Sequence, residues 1–249
     1  MKKFNALCMF MLATVALPLM MACGDDDEEE SFDTTPINIY SNGEKTISGA
    51  DTITSANKFI AYTKGNKVTA FHVGKTDLTV NGKYKISLSV LPLYHLYDDP
   101  ILEWGCSVDY VKSHQKQGTL NSKSTDELLA YENAGGASIL GYSFENGKLK
   151  SVGAFVSTSH TSTLADYLME RYLMEPYYQG TETYYIGMDG LTTEEANTAL
   201  IMNVASSSMI QVTYASAKQL ASTRGESANN AHEGIKNKAN ELMRMLLEK

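Results

Sequence analysis

Cysteine and histidine are the side chains of this sequence whose types could support covalent chemistry. Cys106 follows Trp104 and Gly105, and a nucleophilic thiol there would need His114 or His160 as its base. A cysteine-dependent enzyme works only if the two side chains touch in the folded protein. A lone cysteine is more often a small buried apolar residue. We therefore expect no enzymatic activity, and an enzyme that uses Cys106 is the alternative.

The pattern of histidines and acids does not favour a metal or another cofactor. The five histidines are His72, His95, His114, His160 and His232, and no two of them have metal-ligand spacing. The sequence contains no H-E-x-x-H, no C-x-x-C and no acidic calcium loop. Ser143 lacks the glycine two residues later that a strained nucleophile turn needs. We expect neither a metal site nor a cofactor.

The amino-terminal residues have the order of an export signal. Lys2 and Lys3 precede an apolar stretch that runs to Met21, and the small Ala22 precedes Cys23. Charge, apolar stretch and small residue in this order are typical of a secretory signal peptide. A membrane-spanning helix is the alternative, which Pro18 and the acids after Cys23 disfavour. We predict a signal peptide over residues 1–22.

The end of this signal, Met20-Met21-Ala22-Cys23, resembles a bacterial lipobox. The resemblance implies that Cys23 carries lipid and becomes the first residue of the mature chain. The acids that follow are Asp25, Asp26, Asp27, Glu28, Glu29 and Glu30. This run is similar to the export tag of Bacteroidetes lipoproteins on the outer face of the outer membrane. Residues 23–35 are thus predicted to be a lipidated acidic tether, with the periplasmic face as the alternative location.

Charge and cysteine use limit the partners and the covalent crosslinks of the mature protein. Without Lys2 and Lys3 the chain has 19 basic and 29 acidic residues, a net charge of −10, of which the tag carries −6. No clustered basic face favours nucleic acid. If Cys8 leaves with the signal and Cys23 carries lipid, Cys106 is left without a disulfide partner. We expect the outer membrane, reached through the lipid anchor, as the partner, and no nucleic acid.

Residues 36–92 alternate apolar and polar side chains in short segments, which we predict to be strands: INIY, KTIS, NKFIAY, KVTAFHV, TDLTV and KYKISLSV. Asn42-Gly43, Gly65-Asn66 and Asn81-Gly82 separate several of these segments, and such pairs favour tight turns between strands. The stretch KFIAYTKGNKVTAFHVGKTDLTV resembles the group-2 type of bacterial immunoglobulin-like module. The resemblance implies an all-β sandwich that serves as a spacer or adhesive module.

The residues after Pro100 mix helix and strand patterns. We predict a linker over 93–100 and an α+β domain over 101–215, with helices on one face of a mainly antiparallel sheet. One predicted helix contains Val108 and Val111. A second begins at Thr163 and ends at Pro176, and a third covers TEEANTALIMNVA behind a capping box of Thr192 and Glu195. The predicted strands are ELLAY, ASILGYSF, KLKSVGAFV, ETYYIGM and SMIQVTY, with Asn146-Gly147 as a hairpin turn.

Residues 216–249 are predicted to be a helical segment. Its apolar stripe consists of Ile235, Ala239, Leu242 and Leu246, and we expect this stripe to pack either on this chain or on a partner.

A further resemblance, to a helix-plus-strands unit of small Bacteroidetes lipoproteins, is carried by the segments WGCSVDYV and YSFENGKLKSV. The whole chain therefore resembles Bacteroidetes surface lipoproteins with an immunoglobulin-like amino-terminal module.

An anchor, a spacer and no catalytic motif favour a binding or assembly module for a glycan or a protein. The candidate ligand-binding residues are Tyr94, Tyr97, Tyr177 and Tyr178, because they lie in proline-flanked segments at the predicted domain junction. The alternative is that the aromatic residues of the 93–100 linker pack at this junction and bind nothing.

Overall fold

A computed structural model describes residues 32–179 and 182–218, and strands dominate these residues. The first seven strands are β1 (Ile37–Tyr40), β2 (Glu44–Thr46), β3 (Ile53–Ser55), β4 (Ala61–Lys64), β5 (Lys67–Ala70), β6 (Gly74–Val80) and β7 (Tyr84–Leu91). The next eight are β8 (Thr119–Leu120), β9 (Leu128–Ala134), β10 (Ala137–Glu145), β11 (Lys148–Ser157), β12 (Leu173–Gln179), β13 (Glu182–Met188), β14 (Thr198–Ser206) and β15 (Met209–Ser216). The α-helices of the described chain are α1 (Val108–His114) and α2 (Thr161–Met169).

The first seven strands form two small sheets. One sheet has the order β1-β7-β6-β3 and the other has the order β2-β5-β4, with β1 parallel to β7 and the other pairs antiparallel. Buried residues alternate along β6 and β7, where Leu78, Val80, Ile86 and Leu88 are almost fully enclosed. This period of two places one apolar face of the sheet inward, as the sequence pattern predicted.

The predicted turns of this part are confirmed by backbone conformation. Asn42, Gly65, Asn81 and Gly82 all have positive φ angles, between 50° and 69°. Glycine and asparagine adopt this left-handed region more readily than other residues, and tight hairpin turns need it. The chain therefore reverses between β4 and β5 and between β6 and β7 where the sequence places its turn pairs.

The remaining strands form one antiparallel sheet of eight strands. Its order is β12-β13-β14-β15-β11-β10-β9-β8. The predicted hairpin at Asn146-Gly147 joins β10 to β11, and both residues have positive φ. Val111 of α1 and Leu164, Tyr167 and Leu168 of α2 pack in the core on one face of this sheet. The mainly antiparallel character of the sheet is thus confirmed.

The third predicted helix is wrong, because residues Thr198–Ser206 form strand β14. One contact of the predicted capping box does exist, since the backbone N–H of Glu195 donates to Thr192 Oγ1 at 3.3 Å. The chain nevertheless makes only a turn there and then pairs with β13 and β15. Two neighbouring strands supply hydrogen bonds and packing to this segment, and such tertiary context overrides weak helix propensity.

The boundaries predicted for the second helix are also wrong. Helix α2 begins at Thr161 rather than behind a Thr163 cap, and it ends at Met169. Pro176 lies inside β12, which is an edge strand of the large sheet. A proline is tolerated on an edge strand because the missing N–H can face away from the neighbouring strand.

A buried ion pair joins the small sheets to the large one. Glu170, 3% exposed, follows α2, and its carboxylate accepts hydrogen bonds from Ser41 Oγ (2.8 Å) and the backbone N–H groups of Leu93 (2.8 Å) and Tyr94 (3.1 Å). Arg171 Nη1 donates to the same carboxylate, and Arg171 Nε donates to Asp99 at 2.6 Å. The backbone at Leu93 and Tyr94 is therefore held at this junction, whereas the side chains of both residues are exposed.

The described residues from Asp33 onward belong to one compact unit. Separate folding of residues 36–92 and 101–215 as two domains stays a prediction.

No helix in this part of the chain has the length and hydropathy needed to cross a bilayer. The predicted signal, Cys23, the acidic tag and the stripe from Ile235 to Leu246 lie outside the described residues.

Candidate functional site

A cavity of about 670 Å³ lies beside Trp104, where the 100–104 segment passes the ends of three strands of the large sheet. Its lining residues are Pro100, Leu102, Glu103, Trp104, Asp189, Asn197, Thr198, Ser216 and Lys218. They come from four separate parts of the sequence. The antiparallel pairing of β13, β14 and β15 places the last five of these residues at the same end of the three strands.

Trp104 is held against the sheet by its ring nitrogen and by its backbone. The indole Nε1–H donates to Thr198 Oγ1 at 3.3 Å, and the Trp104 backbone N–H donates to the Leu102 carbonyl at 2.9 Å. Gly105 has a φ of +82°, so the chain can turn sharply after the indole, and its N–H donates to Leu149 of β11. The ring is therefore fixed in place and partly exposed, which suits a surface for stacking.

Asp189 also lines the cavity. Its Oδ1 accepts hydrogen bonds from the backbone N–H groups of Asn197 and Thr198, both at 2.8 Å, and closes the loop between β13 and β14. Its second oxygen, Oδ2, receives no hydrogen bond within the described part of the chain. Asp189 thus combines a structural role with remaining acceptor capacity on the cavity wall.

The polar residues of the cavity suit a ligand that carries hydroxyl groups. Glu103 and Asp189 are acceptors, Lys218 is a donor, and the Asn197 amide can do both. A flat indole beside such groups can cover an apolar ring face while the polar groups bind its edge. The residues described include no group of three or more histidine, cysteine or acidic side chains placed to hold a metal ion.

The structure does not bring the four predicted tyrosines together. Tyr97 is 4% exposed and lies in the core, where its hydroxyl is 2.7 Å from that of Tyr214. Burial raises the pKa of Tyr97 above its usual range. A ring enclosed in this way cannot stack on a ligand, and Tyr97 as a contact residue is therefore a wrong prediction.

The other three tyrosines do not form one surface either. Tyr177 and Tyr178 are consecutive in β12 and point to opposite faces of the sheet. Tyr177 packs beside Tyr184, whereas Tyr178 is 71% exposed. Tyr94 is 38% exposed in the linker, where its backbone N–H binds Glu170. A shared aromatic platform is absent from the described residues.

Cys106 has the surroundings of a packing residue. It is partly buried against the core of the large sheet, and no hydrogen bond within the described chain joins it to His114 or His160. Burial, and next the negative charge of Glu103, raise the pKa of the Cys106 thiol. His114 Nδ1 instead contacts the Tyr110 carbonyl at 2.9 Å. At neutral pH the reactive thiolate is therefore scarcer than for an ordinary cysteine.

Sequence reasoning missed Trp104, Asp189 and Asn197 as members of one site. Two local signals were present: the single tryptophan followed by glycine, and the Asp189-Gly190 pair after a predicted strand. Neither signal indicates that positions 94 residues apart, such as Trp104 and Thr198, share a hydrogen bond.

No protein-family model, no curated protein and no solved structure matches this chain.

Proposed function

We propose that this protein is a non-catalytic, lipid-anchored binding module of the outer membrane, displayed on the cell surface. We further propose that it binds a glycan in the cavity beside Trp104. The cavity carries this proposal, because it combines a fixed indole with acceptor and donor side chains in a volume typical of ligand sites. The raised pKa of Cys106 disfavours a thiol-dependent enzyme.

An immunoglobulin-like module for residues 36–92 belongs to this proposal. Strands one, seven, six and three share one sheet here, and strands two, five and four share the other. In the immunoglobulin constant domain, strands C, F and G form one sheet and A, B, E and D form the other. The division differs only in the first strand, which here pairs parallel with the seventh. This strand order supports an immunoglobulin-like sandwich. In the proposed function, this sandwich is a spacer between the lipid anchor and the larger domain.

The glycan site is tested with Trp104→Ala on a glycan array and by titration with the best sugar found. We expect affinity to fall about fivefold or more, because loss of one stacked ring costs on the order of 1 kcal/mol. Trp104→Phe should retain much of the binding. Tyr185→Ala is the matched control, since this exposed tyrosine lies outside the cavity lining.

Two results would contradict the proposed site. Undiminished binding by a folded Trp104→Ala protein would place the ligand elsewhere. A wild-type protein that binds no glycan would exclude this ligand class and favour a protein partner, which was the other ligand expected from the sequence.

The proposed lipid anchor and its location are tested by mass spectrometry of the mature amino terminus and by protease treatment of intact cells. We expect a chain that begins at Cys23 with attached acyl chains, because two or more chains give stable anchoring where one does not. Cys23→Ser is the control and should remain unlipidated. An unmodified Cys23 behind an uncleaved leader would refute the anchor, and full protection from protease on intact cells would refute surface display.

A further inference from the structure

The eight-stranded sheet has two buried faces, but the described helices account for only one. Val212 and Tyr214 of β15 point into the core that contains both helices. Their neighbours Gln211 and Thr213 point to the other face because side chains alternate along a strand. Both of these polar residues are 0% exposed, and Gln211 Nε2 donates to Thr213 Oγ1 at 3.1 Å.

Two adjacent rows of the second face have mostly small side chains, whereas the row of Gln211 also contains the buried Phe155. In register with Thr213 lie Gly153 of β11 and Ile201 of β14, and Gly141 of β10 lies opposite Gly153. The adjacent row across the strands consists of Ser143, Ser151, Ala215 and Ala199. Glycine, alanine and serine leave a shallow channel that admits the bulky side chains of a covering element.

The described residues supply little cover for this face. The cluster of buried residues there contains Tyr184, Ala196, Ala199, Ile201, Ala215 and Ala217, all from the strands or from the residues directly beside them. In the described ranges, both helices and the 96–104 segment contribute to the core of the opposite face. The full burial of Gln211 and Thr213 therefore requires a further covering element.

The chain itself continues from this face. After β15, Ala217 is 1% exposed and belongs to the cluster of the second face. Residues 219–249 follow, and as a helix they would reach about 46 Å. From β15 the sheet extends over three strands on one side and four on the other, roughly 14 and 19 Å. The segment is therefore long enough to cross the channel.

We infer that residues 219–249 cover the second face of the large sheet in the same molecule. The stripe of Ile235, Ala239, Leu242 and Leu246 inserts its larger side chains into the channel of small residues. Its packing buries apolar surface on both sides and removes the Gln211–Thr213 pair from water. In this arrangement the stripe packs on this chain rather than on a partner.

The test uses cysteine pairs in the full chain with Cys8→Ser, Cys23→Ser and Cys106→Ser, so that no native thiol remains. Thr213→Cys is combined in turn with Ala239→Cys, Leu242→Cys and Leu246→Cys, and a mild oxidant is added. Disulfides form only when the two Cα atoms approach within about 7 Å. Peptide mass spectrometry of the monomer peak should find a link from position 213 to one or more stripe positions. Asn237→Cys and Arg244→Cys, on the opposite side of the predicted helix, are the matched controls and should not link.

Other outcomes would overturn the inference. Links found only in dimers would make the cover a second copy of the chain, and equal linking of stripe and control positions would remove the specific packing. Absence of any link would also contradict it. A second measurement avoids the introduced thiols: Leu242→Asp should lower Tm, whereas Asn237→Asp, with the same change in charge, should not.

Discussion

Glu170→Ala is expected to lower the free energy of unfolding by about 3–5 kcal/mol. Among the described residues, the substitution leaves the buried guanidinium of Arg171 with only Asp99, whose side chain is 59% exposed, as its ionic partner. It also removes the acceptor for Ser41 Oγ and for the backbone N–H groups of Leu93 and Tyr94. Breaking one side of a buried pair is costly because the remaining charge stays out of water. Urea denaturation monitored by circular dichroism measures the change.

Glu145→Ala is the matched control for this measurement. Glu145 also forms an ion pair, with Lys150 at 3.5 Å, but its side chain is 65% exposed. Exposed pairs contribute about 0–1 kcal/mol because water screens them. Equal effects of Glu170→Ala and Glu145→Ala would contradict a stabilising role for the junction network. A loss of junction contacts should also make the 93–99 segment more sensitive to protease.

Leu168→Ala is expected to destabilise the protein by about 2–5 kcal/mol. Leu168 of α2 is fully buried in the core of the large sheet, where the smaller side chain would leave a cavity. The next residue of the helix, Met169, is 53% exposed, and Met169→Ala should change stability by less than about 0.5 kcal/mol. The two midpoints of urea denaturation are compared directly. Similar midpoints would show that α2 does not pack on the sheet through the Leu168 side.

Local sequence signals predicted much of the secondary structure. Strands β6, β7, β10 and β11 were expected from alternation and from their turn pairs, because both signals act within a few residues. Helix α1 was expected from the spacing of Val108 and Val111. β3 was missed, since a three-residue strand is too short to show alternation.

The errors occurred where distant residues decide the conformation. Residues Thr198–Ser206 have apolar residues at a spacing that fits a helix, yet two flanking strands hold them extended. Tyr97 looked like a surface aromatic in a proline-flanked linker, yet it packs against Tyr167 and Tyr214. Neither the partner strands nor the receiving core is visible from the local sequence.

By itself, the sequence determined that this protein consists mainly of antiparallel strands joined by tight turns. Side-chain alternation and the left-handed preference of Asn-Gly and Gly-Asn pairs are local properties, and they need no distant partner. Only the tertiary structure decided that β14 is a strand, that Tyr97 is buried and that Trp104 shares a cavity with Asp189 and Thr198. These features depend on contacts between residues as much as 117 positions apart, such as Tyr97 and Tyr214, which form only when the large sheet pairs and its core closes.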